Sequence, residues 1–140
     1  MRDYTRKAKR VDNGEWVKGF YFCMEHKDGR HVHHFIIPLG ADLSLGTPIE
    51  KIQVEIDPNT ICDPTGLTDK NGNKIWENDI VNCPLEECYG KVIWNENEAL
   101  FAFAVLYEDG MFEEEYLYDF ENYIEVIGNI FDNTDLLKGE

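Results

Sequence analysis

The sequence predicts an all-β protein, and three observations carry that expectation. Apolar and polar residues alternate with a period of two along several short runs, as half-buried strands require. Asp-Gly and Asn-Gly pairs fall between such runs, where a tight turn needs a residue that tolerates positive φ. The runs are short and closely spaced, each followed by a turn signal, which is the habit of sandwiches and small barrels.

The first strand pair is "EWVKGFYFCMEH" and "HVHHFIIPL". Phe20, Phe22 and Met24 fall on one face of the outgoing strand and Tyr21 and Cys23 on the other. "KDGR" (Lys27 to Arg30) supplies the hairpin turn, and Pro38 stops the return strand. His31, His33 and His34 lie on that return strand, so a half-exposed sheet face accounts for them without a metal. "GADLSLGTP" reads as loop, "KIQVEID" as a strand with Ile52, Val54 and Ile56 inward and Lys51, Gln53 and Glu55 toward solvent, and "DPNT" as a turn.

The central stretch "TGLTDKNGNKIWENDIV" (Thr65 to Val81) crowds two turn signatures and an Ile-Trp pair into one corner. Asn71-Gly72 makes a turn, Ile75 and Trp76 plug the core beneath it, and Asn78 or Asp79 hydrogen-bonds a turn backbone. Ile80 and Val81 then open a new strand. Each residue has a structural task.

Beyond Asn78 the strands are "DIVNC", "YGKVIWN", "LFAFAVLY", a run preceded by the Asp-Gly turn "EDGM" (Glu108 to Met111), and "IEVIGNI" with a bulge expected at Gly128. "LFAFAVLY" is apolar on both faces and should be a central, doubly covered strand. Five short strands of this kind fit a small closed barrel, and an SH3-like barrel has the right size. Asp132 or Asn133 would cap a short C-terminal helical turn. The expected organisation is an N-terminal β-subdomain (1–60) packed on an SH3-like barrel (64–131), followed by a tail (132–140).

Charge is divided unevenly along the chain. Residues 1–75 carry 11 Lys and Arg against 11 Asp and Glu, whereas residues 76–140 carry 2 against 17, so the formal net charge of −15 belongs to the second half. A field of that sign repels phosphate backbones and argues against nucleic acid as a partner. The basic "RKAKR" (Arg6 to Arg10) is the one feature that favours it. The longest apolar run, Ala99 to Tyr107, has nine residues, about half of a membrane-spanning helix. The N-terminus has no apolar signal core, so a soluble, cytoplasmic protein is expected, with Cys23, Cys62, Cys83 and Cys88 as reduced thiols.

Candidate chemistry is sparse. The adjacent acids Glu86-Glu87 and Glu113-Glu114-Glu115 lack the defined separation and unlike environments of an acid–base pair. A thiol nucleophile at Cys62 or Cys23 has no oxyanion-forming glycine context beside it, Ser44 lies in a loop, and no phosphate-binding glycine loop occurs. A hydrolase using Cys62 or a carboxylate pair is therefore the alternative reading. No catalytic, metal or cofactor site is expected. The remaining feature is aromatic: Tyr107, Phe112, Tyr116, Tyr118, Phe120 and Tyr123 crowd together among acids. Glu113, Glu114, Glu115, Tyr116 and Tyr118 are the candidate partner surface, suited to a basic protein, with a second copy of the chain as another partner.

The central stretch resembles the hallmark segment of the YopX family. The closing "IEVIGNIFDNTDLL" resembles that family's C-terminal signature, "KRVDNGEWVKGFYF" its N-terminal strand, and "VEIDPNTICDPTGL" links them in the same order. Two departures stand out: "CDP" (Cys62 to Pro64) where a Gln-Tyr pair commonly precedes Thr-Gly-Leu, and Thr134 where proline is common. The resemblance implies a β-rich fold with an SH3-like part and an origin in phages and prophages of low-GC Gram-positive bacteria. It implies no particular activity. A non-enzymatic phage accessory protein that works through protein contacts is the expectation.

Overall fold

The computed structural model describes residues 2–41, 44–83, 88–106 and 112–138. The chain divides into two compact units, Met1–Asp63 and Pro64–Glu140. Both are built from antiparallel strands, and among the described residues the only other elements are one helical turn and three short 3-10 turns.

In the first unit, β1 (Arg6–Lys9), β2 (Trp16–Glu25), β3 (Val32–Pro38) and β4 (Val54–Glu55) form one sheet in that order. Gly29 at φ +66° makes the β2–β3 turn possible. Gly19 meets a different demand: a Cβ there would fall on the carbonyl oxygen of Ile37 in the neighbouring strand. The inward face carries Ala8, Ile36 and Ile56, with Val17, Tyr21 and Ile61 packed against them. Phe20 and Met24 are on the opposite face and are about half exposed, at 52% and 48%.

"KIQVEID" is a shorter strand than its alternation predicts. Residues Ile49–Lys51 form a 3-10 turn, in which the Ile52 and Gln53 N–H groups both donate to the Ile49 carbonyl. Only Val54–Glu55 then pair with β3. Ile56 is buried as the alternation requires, but Gln53 is half-buried rather than solvent-facing. The segment that follows bonds to two strands at once. Ile56 N–H donates to His34 on β3, while Asp57 N–H donates to Lys9 and Val11 N–H to Glu55.

The second unit contains a two-stranded ribbon, β5 (Pro64–Thr68) with β6 (Lys74–Trp76). Its main sheet comprises β7 (Asp79–Cys83), β8 (Cys88–Asn95), β9 (Leu100–Leu106), β10 (Phe112–Tyr116) and β11 (Glu125–Asn129), ordered β10-β9-β8-β7-β11. Among the described residues β10 and β11 are the ends of this sheet and do not pair with each other. The core is Ile75, Val81, Val92, Phe103, Val105, Leu117 and Ile124. β9 is an interior strand, flanked by β10 and β8, and both Ala102 and Phe103 are fully buried although they point to opposite faces. The register shifts between Val126 and Gly128, the bulge expected at that glycine. A side chain at Gly128 would run into that of Asn133.

Two features near the end of the chain differ in detail from the sequence expectation. A single helical turn, α1 (Leu117–Phe120), interrupts the run of tyrosines and buries Leu117. The C-terminal turn is a 3-10 helix, Thr134–Lys138. The Asn133 side chain reaches back to accept from Asn129 N–H at 3.1 Å, closing the bulge. The "EDGM" turn and Glu86-Glu87 lie outside the described residues.

Candidate functional site

The central corner is organised by two buried carboxylates, Asp69 and Asp79, each 3% exposed. Asp79 accepts from Trp76 N–H at 2.8 Å, which sets the turn between β6 and β7. Asp69 reaches further. Its Oδ1 accepts from the N–H groups of Asn71 (2.9 Å) and Asn73 (2.8 Å), and its Oδ2 from Val126 N–H at 3.0 Å. Burial, the largest single influence, pushes the Asp69 carboxyl up, but the donors from Val126, Asn73 and Asn71 together outweigh it and hold it below its ordinary value. Lys70 adds a backbone bond to Ile124 and an ion pair with Glu125 at 3.6 Å. Asn78 sits at φ +72°, donating to Val92 and accepting from Ile130. All these polar atoms are engaged in holding the ribbon to the main sheet. This corner is structural.

The acidic tyrosine-bearing surface lies on β10 and α1, at the edge of the main sheet. Pairing with β9 sets Glu113 opposite Val105 and Glu115 opposite Phe103, while Glu114 and Tyr116 stand opposite Ala104 and Ala102. Alternation therefore splits the three glutamates. Glu114 shares a face with Tyr116, and Glu113 and Glu115 project from the other. The Tyr116 and Tyr118 rings stack, with centroids 6.3 Å apart and planes at 9°, and both remain exposed.

Two residues that sequence reasoning missed complete this surface. The Glu98 carboxylate is hydrogen-bonded to the Tyr116 hydroxyl, and that bond, followed by its charge, raises the Tyr116 phenol above its ordinary value. Asn95 donates to Glu114 at 2.9 Å and accepts from Glu98 N–H at 3.1 Å. The β8–β9 hairpin brings them to β10, so only knowledge of strand order could have found them. Glu98, Glu114, Tyr116 and Tyr118 thus form a connected group of acid and aromatic groups.

The other candidates have different settings. Cys62 is 1% exposed and its thiol donates to the Thr60 carbonyl at 3.3 Å, the environment of a packed thiol. The basic run Arg6–Arg10 lies on and just after β1. Arg6 pairs with Asp63 at 2.7 Å, Arg10 with Asp12 at 2.8 Å, and Lys7 and Lys9 lie over the Trp16 ring. Tyr21 and His34 share a bond at 2.6 Å on the inward side of β2 and β3. Burial is the first cause of the raised Tyr21 phenol, with Cys23 adding to it. Among the described residues no helix is long and apolar enough to cross a membrane.

An all-β chain with an Asn-Gly corner built on a buried aspartate and a bulged last strand matches the family model described as YopX protein over residues 8–138. The chain belongs to the YopX family. Among solved structures, the crystal structure of protein EF1440 from Enterococcus faecalis is similar, with 22% identity over 95% of this chain and 96% of that one, at a TM-score of 0.49. Comparison with curated proteins gives no match.

Proposed function

We propose that the protein is a phage or prophage accessory protein that acts in the bacterial cytoplasm through contacts with other proteins rather than through catalysis. The contact surface is the β10–α1 edge, and its partner is a basic protein. The observation that carries this reading is the exposed, stacked Tyr116–Tyr118 pair joined to Glu98 and Glu114. Aromatic faces with acids beside them attract cationic side chains, by ring quadrupole and by charge together. The strand order of the main sheet, with a helical turn before the last strand, supports reading the second unit as an SH3-like barrel, a fold that binds peptides through aromatic surfaces. Family membership supports the phage origin. The net charge of −15 argues against nucleic acid.

Affinity capture from bacterial host cells tests the proposal, with wild type compared against Glu98→Gln/Glu114→Gln and against Tyr116→Ala/Tyr118→Ala. A basic protein held by wild type and lost from both variants is the expected result. A partner held equally by all three would remove this surface from the account.

A further inference from the structure

We propose that the tip of the β2–β3 hairpin is a divalent transition-metal site with His26, His31 and His33 as its ligands. The register of the hairpin brings these three together. Met24 pairs with His33, and His26 N–H donates to the His31 carbonyl at 2.9 Å, so His26 and His31 form the next rung. Residues at 24, 26, 31 and 33 therefore project from one face. The His26 ring centroid lies 5.0 Å from that of His33 and 5.8 Å from that of His31. Two imidazoles bound to one tetrahedral ion stand roughly 5 Å apart by the same measure, given metal–nitrogen bonds of about 2 Å.

The second observation is the orientation of the rings. His31 Nδ1 lies 2.8 Å from Asp28 Oδ2, and His33 Nδ1 lies 3.0 Å from Glu55 Oε2. A carboxylate only accepts, so each Nδ1 carries the proton and each neutral ring keeps its lone pair on Nε2. A carboxylate on one ring nitrogen with the other left to bind is the usual support of a metal-ligating histidine. Here two of three rings have it. Asp28 and Glu55 also place negative charge beside the incoming cation. His34, next in sequence to His33, is on the opposite face and bonded to Tyr21, so it takes no part.

Among the described residues no three His, Cys, Asp or Glu side chains stand ready around a common point, so the rings must turn to close the site. The His31 and His33 side chains are 68% and 45% exposed, so each can pivot about its Nδ1–carboxylate contact without giving up the tautomer that leaves Nε2 to bind. Three imidazoles suit zinc, nickel or copper rather than calcium or magnesium, with water completing the coordination.

The test is calorimetric titration of zinc chloride into the full chain, freed of any affinity tag and of bound metal. One zinc should bind per chain. His26→Ala and His33→Ala should each weaken binding at least about tenfold, and Asp28→Asn and Glu55→Gln by about tenfold through loss of ring orientation. His34→Ala and Cys23→Ser should leave it unchanged. Ring-nitrogen NMR of the wild type should show Nε2 of His26, His31 and His33 shifting together with zinc. Binding only in the millimolar range, binding that survives the histidine substitutions, insensitivity to both carboxylate changes, or loss in Cys23→Ser would each overturn the proposal.

Discussion

The two units solve the same problem, closing a tight turn with an aspartate and a glycine, and the outcomes differ because of what lies beyond the turn. In the first unit, Asp28 Oδ1 accepts from Arg30 N–H at 2.9 Å and His31 N–H at 3.3 Å. In the second, Asp69 Oδ1 accepts from Asn71 and Asn73 N–H at 2.9 and 2.8 Å. The local chemistry is alike. Asp28, however, sits in solvent with a side chain 47% exposed, and its remaining oxygen meets a histidine three residues away. Asp69 is 3% exposed, and its remaining oxygen holds Val126, 57 residues away. A turn aspartate becomes structurally decisive when it is buried and when one oxygen is left for a distant strand. When it stays exposed, the second oxygen meets only a near neighbour and ties down no distant strand.

The contrast can be broken by removing each carboxylate. Asp69→Ala leaves three backbone N–H groups without their acceptor and should cost about 3 kcal/mol of second-unit stability, read as a lowered urea midpoint. A loss no larger than that of an ordinary surface substitution would show that Val126 and the turn find other partners.

Acid titration sharpens the same point. The Asp69 carboxyl is held below its ordinary value in the folded chain, so the unfolded chain binds the proton more readily. Its stabilisation is therefore complete above about pH 4, the unperturbed value, and is lost as pH falls through the lower folded value. The difference in urea midpoint between wild type and Asp69→Asn should be constant from neutral pH to about pH 5 and shrink below about pH 4. A difference that grows on acidification would reverse the sign of the account.

Asp28→Ala is the smallest expected effect. The carboxylate is solvated, and its turn N–H groups can bond to water instead. The urea midpoint should not move, while zinc affinity should fall as it does for Asp28→Asn. A clear loss of stability would erase the distinction between the two turns.

What the sequence made legible follows from range. Asn71-Gly72 and Lys27–Arg30 are turns by local chemistry alone, and Ile75 and Trp76 beneath the first of them are buried as their size requires. The bulge at Gly128 was likewise visible in a glycine placed inside a strand. Contacts that depend on register were not legible. Val126 bonding to Asp69 gives no local sign. His31, His33 and His34 are neighbours in sequence, but a period of two sends His34 inward, and the hairpin sets His26 beside His31 and His33. The run Glu113–Glu115 reads as one acidic patch in sequence and is two faces in the strand. "KIQVEID" alternates cleanly, yet the 3-10 turn Ile49–Lys51 takes its first residue and only Val54–Glu55 pair as strand.

The central claim is that Glu98, Glu114, Tyr116 and Tyr118 act as one contact surface, and association kinetics with the captured basic partner test it most directly. Exposed charges steer encounter and are screened beyond about 8 Å at physiological ionic strength. Glu98→Gln/Glu114→Gln should slow association and flatten its salt dependence, and should do so more than Glu113→Gln/Glu115→Gln, which alters the opposite face. Tyr118→Ala should instead speed dissociation, as loss of an aromatic anchor does. Equal effects from the two glutamate pairs, or an association rate indifferent to salt and to both, would contradict the account.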